Sequence, residues 1–333
     1  MSLVYLTLGV VFLFGTVIDL LWTTLWVEGG AGPLTSRLMA WTWRSLRWIG
    51  TQNSRLLSLS GPLIFVLSLA VWIVLLWSGW TLIFAGAESA FTDTLNRGPV
   101  SWSDRVYFTG YTVFTLGIGD FAPQEGIWQL ITILAAGSGL LFVTLSVTYT
   151  LSVLDAVTQK RAFANNVSGF GTNGEEIVQT AWNGEEFQEL DLLLDSFVTQ
   201  LTLLTENHNA YPVLHYFHSA QPDRAPAVEI AVLDEALTLI RFGVPERNRP
   251  NEIVIRNARK SIENYLETLH EAFVDSADDP PPSPDLCALS TAGIPTVSDE
   301  EFETSLDEME KRRRILLGFV RSDSREWPTS ATE

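Results

Sequence analysis

Three apolar runs decide most of what this chain can become. They cover residues 3–27, 62–85 and 127–154, and a helix crosses a bilayer core with about 20 apolar residues. Lipid offers no hydrogen bonds, so each run must satisfy its own backbone, as a helix does. The first run has no basic residue ahead of it and is longer than a signal-peptide core, so it is read as a retained span.

Charge divides the chain as sharply as hydropathy. Residues 1–158 hold eight acids and six bases, whereas residues 159–333 hold 31 acids and 15 bases. Ten of the twelve tryptophans lie in the first part. The break, near Lys160, separates a membrane part from an acidic part that reads as soluble. A net charge of −18 excludes a basic nucleic-acid binder, which needs clustered Lys and Arg against phosphates. The single cysteine, Cys287, excludes an internal disulfide and a Cys-cluster metal site. The sequence has no Gly-rich phosphate loop, H-E-x-x-H or G-x-S-x-G. Nothing therefore marks an enzyme, and no cofactor is expected.

The basic residues set an orientation. Arg37, Arg44, Arg47 and Arg55 lie between the first two runs, and Lys160 and Arg161 follow the third. Between the second and third runs stand only Arg97 and Arg105, among Glu88, Asp93 and Asp104. Cytoplasmic loops carry the excess of Lys and Arg. The N-terminus and residues 86–126 are thus expected outside a cell membrane, with residues 28–60 and the acidic tail in the cytoplasm. Within residues 34–49, Leu34, Leu38, Trp41, Trp48 and Ile49 share one helical face and Arg37, Arg44 and Arg47 another. That is the pattern of a helix lying in the membrane interface. Asp19, inside the first run, lies about 12 Å from its cytoplasmic end at 1.5 Å per residue. A buried hydrogen bond or interfacial water is the expected partner for its carboxylate.

Ahead of the third run, residues 103–114 are apolar enough to enter a membrane but too short to cross it, as in a re-entrant segment. The chain then reads Thr115-Leu116-Gly117-Ile118-Gly119-Asp120. Non-helical backbone at membrane depth survives only where protein or a water-filled cavity satisfies it. Two glycines one residue apart permit dihedrals that let successive carbonyls point the same way.

A span, a short re-entrant helix, T-x-G-x-G-D and a second span resemble the pore module of potassium channels, whose filter carbonyls replace an ion's hydration shell. The likeness covers about residues 60–158. It includes Tyr107 and Phe108 in the re-entrant helix, Thr112 three residues before Thr115, Asp120 and Pro123 after the motif, and Gly139 in the last span. The resemblance implies a selectivity filter of Thr115, Leu116, Gly117, Ile118, Gly119 and Asp120. Carbonyls of Thr115 to Ile118 would line it, with the Thr115 hydroxyl as the innermost ring. Gly119 would turn the chain to the outer mouth and Asp120 would bond behind the filter. The re-entrant helix would aim its carbonyl end at the cavity, and Gly137 and Gly139 would hinge or closely pack the inner helix. Potassium would be the permeant ion, the only metal expected, and one filter copy per chain implies a homotetramer. Ile118 replaces the family's filter aromatic and cannot donate the hydrogen bond of a tyrosine, and Leu116 replaces Val or Ile. A weakly selective cation channel, or a non-conducting membrane scaffold or sensor, therefore stands as the alternative.

The expected fold is an all-α membrane protein: three transmembrane helices, with re-entrant helix and filter between the second and third, and a helical cytoplasmic domain. Its parts are residues 1–60 (first span and interfacial helix), 61–158 (pore) and 159–333 (acidic tail). In the tail, Phe187, Leu190, Leu194, Phe197, Leu201 and Leu204 recur at helical spacing, with Asn183 and Glu186 as an N-capping pair. Further helices are predicted over 226–242, stopped by Gly243, over 252–273, and from a Ser298/Glu301 capping box to near Val320. Residues 276–296, with Pro280, Pro281, Pro282 and Pro284, read as a flexible linker. His215 and His218 are three apart, but no third metal ligand is evident. The excess of acids, with three Lys against eighteen Arg, suits a halophilic cytoplasm. No regulatory ligand site is recognisable in the tail.

Overall fold

The computed structural model describes residues 2–27, 30–49, 57–87, 89–96, 98–187, 190–219, 221, 225–272 and 274–328. Arg55, Glu88, Arg97 and Phe273 lie outside the described residues. The chain is almost wholly helical and forms two compact units. One holds residues 1–43 and 62–154, the other residues 44–61 and 155–333. Residues 44–49 and 57–60, assigned from sequence to the N-terminal segment, thus group with the tail.

The first unit contains helices α1 (Leu3–Leu25), most of α2 (Pro33–Ile49), α3 (Ser60–Ala85) from residue 62 on, α4 (Trp102–Val113) and the start of α5 (Ile127–Ser168). Helices α1, α3 and α5 are long and apolar enough to cross a membrane. α5 continues fourteen residues past the predicted span, because nothing after Leu154 breaks it: no Pro or Gly occurs before Gly169. Two short strands, β1 (Phe91–Asp93) and β2 (Phe121–Pro123), pair antiparallel, with Phe91 opposite Pro123 and Asp93 opposite Phe121. Sequence reading offered no strands here; three residues are too short to show alternation.

Polar groups inside this unit each join two elements. Asp19 is fully buried. Its carboxylate accepts from the Leu34 amide at 2.7 Å, the Thr35 amide and hydroxyl, and the Trp72 indole at 2.8 Å. It thereby caps the N-terminus of α2, where amides are orphaned and the helix dipole favours an anion, and ties that end to α3. The expected buried hydrogen bond is present, and several groups donate to this one carboxylate. On α3, Trp77 donates to Val106 O on α4 at 2.9 Å and Trp80 to the Ser138 hydroxyl on α5 at 2.8 Å. Three tryptophans of one helix thus reach three different neighbours.

The second unit is the acidic tail. It contains α6 (Gly174–Ala181), α7 (Leu190–Ala210), α8 (Pro226–Thr238), α9 (Glu252–Ala272), α10 (Leu286–Thr291), α11 (Asp299–Glu308) and α12 (Glu310–Ser322). α8 is buried along its whole length and ends in a π-helical turn, Leu239–Gly243, so Gly243 does close the segment. Asn183 does not cap α7. Its side chain accepts from the Glu185 and Glu186 amides and closes a turn, while the helix begins at Leu190. The last predicted helix is two: Ser298 caps α11 as expected, but the chain breaks at Met309 before α12.

The Pro-rich stretch is not a flexible linker. Ala277, Leu286, Leu289 and Ile294 are buried, and α10 lies within it. Proline cannot donate, but its own carbonyl and those of its neighbours can accept. Pro282 O accepts from Arg313, and Ala277 O from Arg314 at 2.8 Å. The Asp285 amide donates to Glu175 at 2.8 Å. A second fastening lies at the 3-10 turn Pro212–Tyr216. Lys160 donates to Leu214 O and Phe217 O, the Ser60 hydroxyl to Tyr216 O, and His218 bonds Asp323. His215 sits instead against the Tyr216 ring; burial and then the Lys160 charge lower its pKa to about 3. Among the described residues no group of three His, Cys, Asp or Glu is placed to hold a metal.

Candidate functional site

The site is built from the end of α4 outward. Ser101 and Asp104 form a reciprocal capping box that starts this helix, a pattern that local sequence carries. The 12-residue helix Trp102–Val113 matches the predicted re-entrant segment to within a residue. Its end is a Schellman-type motif. The Leu116 amide reaches back to Tyr111 O at 2.7 Å and the Thr115 amide to Thr112 O at 3.0 Å. The left-handed residue such a motif requires is usually glycine; here it is Thr115, at φ 55°. A β-branched residue in that region is an outlier that costs about 1–3 kcal/mol and persists where its surroundings impose it, commonly at functional sites.

The left-handed conformation then recurs at every second residue. Gly117 has φ 57° and Gly119 φ 89°, while Leu116 and Ile118 keep negative φ. A Cβ at either glycine would meet nothing within 4 Å, so their requirement is conformational. Thr115 to Ile118 are exposed in the single chain, with Leu116 at 66% and Ile118 at 49%.

Behind this strip stands an aromatic wall. Phe91 stacks on Phe108 at 4.1 Å, and Phe84 meets Phe108 edge-on at 5.0 Å. Phe121 meets Phe91 edge-on at 5.5 Å. Arg105 is buried against it, donating to Phe84 O at 2.8 Å and Ala87 O at 3.2 Å. It closes the C-terminal end of α3 and is not a surface charge of the loop. Of the residues singled out in sequence, Phe108 and Thr112 are buried and Tyr107 is exposed. Pro123 lies in β2. Gly139 faces the end of α4: a Cβ there would fall 1.8 Å from Val113 O, whereas Gly137 has open space around it. Close helix approach accounts for Gly139.

Two groups that sequence reading missed hold the end of the strip beyond Ile118. The Tyr111 hydroxyl donates to Phe121 O at 2.7 Å. The Thr94 hydroxyl bonds Asp120 O at 2.8 Å and Gly119 O at 3.0 Å, and the Thr94 amide donates to Asp120 O at 3.0 Å. Thr94 is 25 residues from Gly119 along the chain, and only the β1–β2 pairing brings them together.

A family model described as "Ion channel" matches residues 63–156. These residues run from α3 through the strip to the last turns of α5's apolar run. The chain is also 46% identical over 324 residues to "Uncharacterized membrane protein YdjJ" of Bacillus subtilis (strain 168), covering 97% of this chain and 95% of that protein. The chain belongs to the same family as this membrane protein, and its residues 63–156 form an ion-channel domain. The part matched is the two-helix, potassium-channel type of pore. No solved structure matches. This ion-channel module occupies only the middle of the chain; α1, α2 and the acidic tail lie outside it.

Proposed function

We propose that the chain is one quarter of a homotetrameric pore that conducts potassium passively, with Thr115–Asp120 as its selectivity filter. The observation that carries this reading is the alternation of left-handed backbone at residues 115, 117 and 119. Such an alternation turns successive peptide planes so that their carbonyls can share one side, and a ring of four such strips can replace an ion's hydration shell. The exposed Leu116 and Ile118 side chains support the assembly, because neighbouring copies would cover apolar surface worth about 25 cal/mol per Å². The orientation follows from the bases. With Arg105 withdrawn into the aromatic wall, the loop between α3 and α5 has still less free positive charge than α2 with Arg37, Arg44 and Arg47. The N-terminus then faces outside and the tail lies in the cytoplasm.

Ion flux into liposomes tests the reading. Purified protein should pass potassium down a gradient faster than sodium, and Gly117→Ala should abolish that flux, since alanine resists φ 57°. Equal flux of both ions in the native protein would make this a weakly selective cation pore. Full flux in Gly117→Ala would remove residues 115–120 from the ion path. No flux from a demonstrated tetramer would favour a non-conducting scaffold.

A further inference from the structure

We propose that Thr94 and Tyr111 are the struts that hold the outer half of the ion path, in place of the hydrogen bond that Ile118 cannot make. The inference rests on the filter reading above and deepens it. Ile118 has no polar atom in its side chain, so that side chain cannot tie the centre of the strip to α4. The ties stand instead at its outer edge and come from two directions. From the inside, Tyr111 is buried in the aromatic wall, and its hydroxyl donates to Phe121 O. From the outside, Thr94 reaches across with its hydroxyl to Gly119 O and Asp120 O and with its amide to Asp120 O.

Three consecutive carbonyls, of Gly119, Asp120 and Phe121, are thereby engaged by protein donors. They are turned away from any ion, and the last ion-facing carbonyl falls at Ile118. The hydroxyls are mounted on firm supports. Tyr111 lies in the last turn of α4, and its own carbonyl accepts the Leu116 amide. One residue therefore grips the strip at both ends, by backbone before Gly117 and by side chain after Gly119. Thr94 follows β1, whose pairing with β2 fixes its distance from Asp120. Both are positioning residues, since neither faces the ions.

Full-length protein in liposomes tests this with Tyr111→Phe, Thr94→Val and the rescue variant Thr94→Ser. Phenylalanine removes one oxygen, valine keeps the shape of threonine without its hydroxyl, and serine keeps the hydroxyl. Two readouts are needed. Hydrogen exchange of the amides of residues 116–122 should quicken about two- to tenfold in Tyr111→Phe and in Thr94→Val, the worth of one hydrogen bond. It should stay at the native rate in Thr94→Ser, with the amides of α1 and the tail unchanged in all three. The sodium-to-potassium permeability ratio should rise in the same order, most in the Tyr111→Phe/Thr94→Val double variant. Unchanged exchange in the double variant overturns the proposal. So does faster exchange with an unmoved ratio in a pore that selects potassium. If the native protein does not select, the potassium reading fails by that fact alone, and exchange decides whether the struts hold the strip.

Discussion

Helices α1 and α8 place their residues in opposite ways. In α1 the buried residues are Gly9, Thr16, Asp19, Leu20 and Thr23, while leucines, valines and phenylalanines face outward. In α8 every residue is buried, including the acids Glu229, Asp234 and Glu235. The difference follows from the medium. A helix surrounded by lipid gains nothing by hiding apolar side chains, so its inner face is free for small and polar groups that bond its neighbours. A helix at the centre of a packed helical unit is covered on all sides by its neighbours, and acids carried into that centre need partners. Asp19 meets amides, a hydroxyl and an indole; Asp234 meets a cation. Arg312 forms a forked contact with Asp234. Burial alone would push the Asp234 carboxyl up, but Arg312 and then Arg259 hold it below the ordinary carboxylate value.

The comparison breaks most severely at Asp19. Asp19→Ala strands two backbone amides, a threonine hydroxyl and an indole in a buried site, at about 1–3 kcal/mol each. The membrane unit should lose its fold, seen as loss of a monodisperse peak in detergent, while Asp19→Asn keeps an acceptor and should retain part of it. A normal peak from Asp19→Ala would mean the carboxylate is dispensable. The corresponding change in the tail is smaller. Arg312→Ala leaves Asp234 charged and buried, at about 3–5 kcal/mol. Replacing both partners by leucine should recover most of the lost unfolding temperature; a double variant as unstable as the single one would contradict this.

The smallest effect is one of pH. Burial, then the neighbouring Glu175, pushes the Glu235 carboxyl up to about 8 from 4.5; Asp234 adds to this, while Arg313 and Trp327 oppose it. The folded tail therefore keeps a proton that the unfolded chain releases between those values. This group's stabilisation is present below pH 4.5 and is lost as pH rises through 8. Glu235→Gln removes the ionisation. The unfolding temperature of the full-length variant should exceed the native one at pH 8 and approach it at pH 5. A constant gap across that range would show that the carboxyl titrates normally.

The sequence by itself determined the membrane helices, the re-entrant helix and the special character of residues 115–119. Each depends on neighbours within a few positions: a continuous apolar run, a helix cut short, glycines at alternate places. Helix ends were less legible where a local pattern had two readings. Asn183 forms the same side-chain bonds in a turn as at a cap, and the proline run of residues 276–296 looks mobile until its carbonyls are seen to be taken by Arg313 and Arg314. Only the tertiary structure decided the rest. Asp19 and Trp72 stand 53 residues apart, Thr94 and Gly119 25, and Asp234 and Arg312 78. A hydrogen bond or ion pair between such residues leaves no periodicity along the chain. Its partners become identifiable only when packing has brought a donor and an acceptor within about 3 Å of each other.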